Sequence, residues 1–193
     1  LLLRLHEADS EGRFIINYLN PAMLLRDWEK YKRVLSLGFI DAVNIPVQST
    51  SDRLLGLMNR GYERGQILPI LQEIRKIAPE IRIVTHCIVG FPTETQEDFV
   101  VTMEDALAFF DHVEYFIYRD RPGVKAYELQ PKVSETQLSN RMRMLEVVSG
   151  TAGARFHLKP DHGWEITVGS PLHVPIGEHD SQMTNDSGDG LPS

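Results

Sequence analysis

Apolar residues along this chain fall into two alternating rhythms. Short runs rich in β-branched and aromatic residues are each followed by a stretch whose apolar positions recur every three to four residues. Arg13-Phe14-Ile15-Ile16-Asn17-Tyr18-Leu19 reads as a strand, stopped by Asn20-Pro21. Over residues 22–37, Leu24, Trp28, Tyr31 and Leu35 recur at helical spacing, and Gly38 is placed to close that helix. Ala42-Val43-Asn44-Ile45-Pro46-Val47 is the next strand. It leads into the polar turn Gln48-Ser49-Thr50-Ser51-Asp52 and a short helix through Met58, ended by Gly61. A second helix carries Ile67, Ile70, Leu71, Ile74 and Ile77 on one face and ends before Pro79. Residues 81–89 form a third strand. Thr95 with Asp98 three positions on resembles a capping box, with Asp in place of the usual Glu or Gln. The helix that follows buries Phe99, Met103, Ala106, Leu107 and Phe110. Residues 113–118 form a fourth strand. After the loop Arg121-Pro122-Gly123, a helix over 134–148 presents Leu138, Met142 and Leu145.

Strands alternating with helices imply parallel pairing and right-handed crossovers. The fold class is therefore α/β, closed either as an open doubly wound sheet or as a (β/α) barrel. Both place ligands at the carboxyl ends of the strands. Each unusual polar cluster lies just there: residues 17–20, 48–52, 90–95 and 119–123. Four clusters on one rim point to a pocket. Four strands do not close a barrel, so the sheet is partial or further strands lie before Leu1.

Composition narrows this picture. A length of 193 residues suits one core domain. No run of eighteen apolar residues exists to span a membrane, and the opening Leu1-Leu2-Leu3-Arg4-Leu5 is too short and too soon charged for a secretory signal. The chain does not begin with Met and opens in what reads as the last turns of a helix, so a fragment is expected. The lone cysteine, Cys87, excludes an internal disulfide framework and fits a reducing, cytoplasmic setting. A net charge of −7 argues against a nucleic-acid-binding face across the whole chain. Part of that charge is local, in Glu178, Asp180, Asp186 and Asp189. After Gly150 the rhythm breaks up among glycines and prolines. The expected division is a main α/β unit over 1–150, an irregular or small β-rich extension over 151–178, and a disordered tail over 179–193.

Each cluster has a plain structural reading. Gly90-Phe91-Pro92-Thr93-Glu94 is an acceptable strand–turn–helix connection, with Glu94 favoured near a helix start. A glycine there also lets a ligand approach the backbone closely. Ser49 or Ser51 is a natural helix cap. Arg119 and Arg121 suit a carboxylate or a phosphate, or a solvated turn. His157, His162, His173 and His179 fit no zinc spacing. His86 alternates with Thr85 and Cys87, so it either looks into a barrel lumen or is a satisfied core histidine. Cys87 reads as a small buried residue.

Taken together and in order, four segments resemble the radical S-adenosylmethionine superfamily. They are Ile45-Pro46-Val47-Gln48-Ser49-Thr50-Ser51-Asp52-Arg53, Met58-Asn59-Arg60-Gly61-Tyr62, Ile88-Val89-Gly90-Phe91-Pro92-Thr93-Glu94-Thr95-Gln96-Glu97-Asp98-Phe99 and Tyr118-Arg119-Asp120-Arg121-Pro122-Gly123. The similarity is to the methylthiotransferase branch and covers roughly residues 13–148. It implies a partial TIM-like barrel of which this chain supplies the later strands. It also implies a [4Fe–4S] cluster that reductively cleaves S-adenosylmethionine to a 5′-deoxyadenosyl radical. The matched positions imply that Ile88, Gly90 and Glu94 lie against the adenine, and that Gln48, Ser49, Ser51 and Asp52 lie near the ribose and methionine end. Tyr118 would meet the adenine through its backbone. The implied substrate is tRNA, a ribosomal protein or a small molecule, with an electron donor such as a flavodoxin or ferredoxin and no membrane partner. The chain departs from the pattern in three places. The family's C-x3-C-x2-C motif is missing, and one cysteine does not hold such a cluster. The Gly-Gly-Glu element is missing too, and residues 17–21 differ from the usual methylthiotransferase sequence. The expectation is that the first two elements lie before Leu1 and that the chain alone is inactive without them. The alternative is a non-catalytic barrel remnant that binds a nucleotide or a partner protein.

Overall fold

A computed structural model describes residues 2–151, 155–159 and 163–167. Four parallel strands lie side by side in chain order: β1 (Phe14–Ile16), β2 (Ile40–Asn44), β3 (Arg82–Val89) and β4 (His112–Ile117). Sequential order without a reversal is the order of a (β/α) barrel; a doubly wound sheet reverses at a switch point. The barrel alternative is therefore the one realised, as part of a ring.

The connections are helical. α1 (Leu2–Ala8) precedes β1, and α2 (Pro21–Arg26) and α3 (Trp28–Leu35) link β1 to β2. α4 (Asp52–Leu57) and α5 (Arg64–Ile77) link β2 to β3, and α6 (Gln96–Phe109) links β3 to β4. The short α7 (Lys125–Glu128) and the long α8 (Glu135–Thr151) follow β4. The single helix expected over 22–37 is two helices broken at Asp27, whose backbone leaves helical geometry (φ −111°, ψ 26°). Its carboxylate pairs with Arg26 and Lys30 on either side of the break. The second strand is shorter than expected, because Pro46 offers no N–H to a ladder. Pairing resumes at Gln48, which bridges to Cys87.

Alternation along β3 separates the two faces of the sheet. Ile83, Cys87 and Val89 join Val43, Ile45, Val113 and Tyr115 in one core with Leu71 and Ile74 of α5, Phe99 and Met103 of α6 and Leu145 of α8. Removing such side chains from water is the main source of stability, roughly 1.5–3 kcal/mol for each large one. Ala42 and Val84 are also buried but stand outside that core, on the opposite face.

β5 (Arg155–Lys159) and β6 (Gly163–Thr167) form a hairpin, and β6 pairs antiparallel with β4. The six strands run in the order β1-β2-β3-β4-β6-β5. Part of the segment expected to be irregular or β-rich thus extends the main sheet. The tail expected over 179–193 lies outside the described residues.

Candidate functional site

The carboxyl end of β3 is built around one glutamate. After Val89 the chain turns at Gly90, with φ at +82°, a region that glycine enters without a steric penalty. Glu94 folds back and accepts a hydrogen bond from the Gly90 amide at 2.6 Å. Arg141 of α8 donates to the same carboxylate oxygen, and also to the Glu94 carbonyl at 2.9 Å. Both side chains are 2% exposed. Burial pushes the Glu94 carboxyl up to about 7, while Arg141 and the Gly90 amide pull it down. A β-carbon at Gly90 would lie 2.7 Å from Leu138 Cδ2. The space freed on that side is therefore filled by α8.

Asp98 forms a second knot one helical turn away. The capping box is present in full: Asp98 N–H donates to Thr95 Oγ1 at 3.1 Å and Thr95 N–H donates to Asp98 Oδ2 at 2.8 Å. Ser51 and Arg53, which follow β2, donate to the two oxygens of the same carboxylate. Burial raises the Asp98 carboxyl, but the bonds from Arg53, Ser51 and Thr95 outweigh it and hold the group well below the usual carboxylate range. Arg53 also donates to the Thr93 carbonyl at 2.7 Å and its hydroxyl at 3.0 Å. Thr93 sits at a φ of +70°, uncommon for a β-branched residue, and its amide donates to Pro131 at 2.8 Å.

The loops after β2 and β3 are thus tied together, and the expected site residues divide into two groups. Ser49, Ser51, Asp52 and Glu94 use their polar atoms within the protein. Ser49 meets Thr102 of α6 at 2.9 Å, Ser51 caps α4, and Asp52 accepts from the Arg64 amide at 2.6 Å. Gln48, Ile88 and Tyr118 lie half-buried along the strand ends. The Gln48 amide donates to His86 O and the Ile88 amide to Gln48 O, both at 2.8 Å. The Tyr118 amide donates to Val89 O at 2.8 Å, and its ring meets Phe91 edge-on at 5.3 Å between centroids. The three strand ends are therefore in lateral contact.

Sequence reasoning passed over Arg53 and Arg141, the two cations that hold this rim. A signal for Arg141 existed. It falls at the spacing of Leu138 and Leu145, on the stripe that α8 buries.

His86 looks away from the helix core. Its Nε2 lies 3.1 Å from the Asn44 amide nitrogen and 3.6 Å from Glu114. His157 lies in β5 opposite Glu165 of β6, which in turn stands opposite Glu114. His162, His173 and His179 lie outside the described residues. Among the described residues no group of three or more His, Cys, Asp or Glu side chains is arranged to hold a metal ion. Cys87 is wholly buried on the helix side, and burial pushes its thiol far up. A neutral, enclosed thiol does not ligate iron, so the residues here do not fit an iron–sulfur cluster. Among the same residues, no helix is long and apolar enough to cross a membrane.

Comparison with known proteins gives a consistent picture. The model for the Radical SAM superfamily matches residues 1–106. The tRNA-2-methylthio-N(6)-dimethylallyladenosine synthase of Pseudoalteromonas atlantica is 41% identical over 108 residues, covering 55% of this chain and 23% of that protein. The protein of the same name from Nitrosomonas europaea is 35% identical over 160 residues, covering 81% of this chain and 35% of its own length. The chain thus spans between about a fifth and about a third of these curated relatives. Among solved structures, coproporphyrinogen III oxidase from Escherichia coli, described as a Radical SAM enzyme, superposes with a TM-score of 0.68 at 18% identity. That superposition covers 86% of this chain and 38% of the other, and it concerns the fold.

Proposed function

Because the chain belongs to the radical S-adenosylmethionine superfamily, in its methylthiotransferase-like branch, we propose that it forms the cofactor-facing wall of an enzyme that methylthiolates an adenosine of tRNA. The observation that carries this reading is the shared rim. Gln48, Ile88, Gly90 and Tyr118 meet at adjoining strand ends inside or next to the segment that the family matches. S-adenosylmethionine, when bound and reductively cleaved, supplies the radical chemistry. The chain's own residues hold and orient it. Gln48 offers an amide to ribose hydroxyls, and the half-buried Ile88 and Tyr118 offer surface to a flat base. Ser49, Ser51, Asp52 and Glu94 act one layer behind, fixing the turns that carry this wall.

The fit is to S-adenosylmethionine and not to the cluster. With Cys87 enclosed, the [4Fe–4S] group belongs to parts of the whole protein other than these residues, as does the docking of a reductant such as a flavodoxin or ferredoxin. The relatives' names place their chemistry on tRNA, and that supports tRNA over a ribosomal protein or a small molecule here.

The test uses the full-length protein, purified without oxygen and reconstituted with iron and sulfide. Reduced in the presence of S-adenosylmethionine, it is expected to release 5′-deoxyadenosine. A fully loaded cluster with no such product rejects the enzyme reading in favour of a nucleotide- or partner-binding remnant.

A further inference from the structure

The face of the sheet turned away from the helices carries a polar group that the cofactor wall does not use. Asn44 of β2, His86 of β3 and Glu114 of β4 stand on it, and His86 and Glu114 are partners in the strand register. One end of the Asn44 amide lies 3.1 Å from His86 Nε2. The other end, Oδ1, is buried and has no hydrogen-bond partner among the described residues, although Asn44 as a whole is only 7% exposed. Glu114 stands between two imidazoles, 3.6 Å from His86 and 3.7 Å from His112. These separations are longer than hydrogen bonds.

A buried amide oxygen without a donor is costly to the fold. It makes sense where something else donates to it. The neighbours indicate what kind of group that is. Phe116 meets the His86 ring edge-on at 5.2 Å, and Val84 and Ile88 flank it on the same strand. Apolar and aromatic walls with acceptors at one side suit a flat heterocycle that presents an N–H. A carboxylate beside the acceptor disfavours phosphate and other anions.

We propose that Asn44, with His86 and Glu114 beside it, is the specificity-determining contact for the exocyclic N–H of the target adenine. This deepens the tRNA reading above and rests on it. Asn44 Oδ1 accepts from the base, His86 fixes the amide's orientation, and the Glu114 carboxylate stands beside the imidazole. The subsite lies on the open face of β2–β4, beneath the rim formed by Gln48, Gly90 and Tyr118.

The test pairs a change in the protein with a change in the base. The full-length protein is titrated with an RNA stem–loop carrying one adenosine in its loop. It is then titrated with the same RNA carrying purine riboside, which lacks the exocyclic amine. The unsubstituted protein is expected to bind the adenosine RNA about tenfold more tightly, the scale of one net hydrogen bond. Asn44→Leu is expected to bind both RNAs equally, at the weaker level. If Asn44→Leu does not fold, Glu114→Gln is the second probe, with the same narrowing of the ratio expected. An unchanged preference for adenosine in a folded variant overturns the proposal, and so does an unsubstituted protein without preference. The titration needs no turnover, so loss of 5′-deoxyadenosine release would strike the enzyme reading and not this result.

Discussion

Thr85 and His86 are neighbours on β3 and meet opposite surroundings. Thr85 is wholly buried on the helix side, and its hydroxyl is fully used. It donates to the Ile45 carbonyl at 2.8 Å and accepts from the Val47 amide at 3.2 Å. One residue on, His86 is part-buried on the other face, beside an amide oxygen with no partner among the described residues. On the helix side Thr85 satisfies its hydroxyl with the protein's own atoms, within the apolar core that serves stability. On the open side the Asn44 amide oxygen, without a partner among the described residues, is left for something else. The same strand thus separates folding from recognition by the alternation of its side chains.

The sharpest way to break that contrast is to unpair the deepest charge on the helix side. Arg141→Ala leaves Glu94 buried without its cation, and urea denaturation is expected to show a loss of about 3–5 kcal/mol. A smaller loss would mean that Glu94 is neutral or reached by water. Next comes the strand itself. Thr85→Val keeps the shape but strands the Val47 amide, at a cost of about 1–3 kcal/mol, while His86→Gln on the open face is expected to cost less than about 0.5 kcal/mol. Equal losses would erase the distinction between the faces. A further contrast is a pair of opposed pH slopes. Asp98 is held below its unfolded value of 3.8, so its contribution is present above that pH and lost as the pH falls through it toward the folded value. Glu94 is raised from 4.5 to about 7, so the folded state binds its proton more tightly, and stability declines as the pH rises across that interval. Thermal melts of Asp98→Asn should lose the acid slope alone, and those of Glu94→Gln the neutral one.

Much of the helix side could be read from the sequence, because burial leaves a periodic trace. Ile67, Leu71 and Ile74 repeat at helical spacing and are wholly buried on α5. The Thr95–Asp98 box lies within four residues and depends on local geometry alone. What could not be read depends on partners distant in sequence. Arg53 reaches Asp98 across 45 positions and Arg141 reaches Glu94 across 47, and neither spacing leaves a local pattern. Gly90 was expected to open the backbone to a ligand; on its β-carbon side the opening is taken by Leu138. Ser49 and Ser51 had two readings, helix cap or contact near a ribose; Ser51 is the cap of α4 and Ser49 meets Thr102 of α6, since a hydroxyl next to a helix start readily finds backbone. On the open face, alternation identified His86, but not the Asn44 and Glu114 that strand register places beside it.

The pairing of Glu94 with Arg141 also sets a schedule. A ribosome adds about 5–20 residues each second, so the 47 positions between the two take about 2–9 s to make. Through that interval the nascent turn after β3 carries an acid whose counter-charge does not yet exist, while Arg53 is already present to hold Asp98. The rim is therefore born half-latched, and the arrival of α8 closes it.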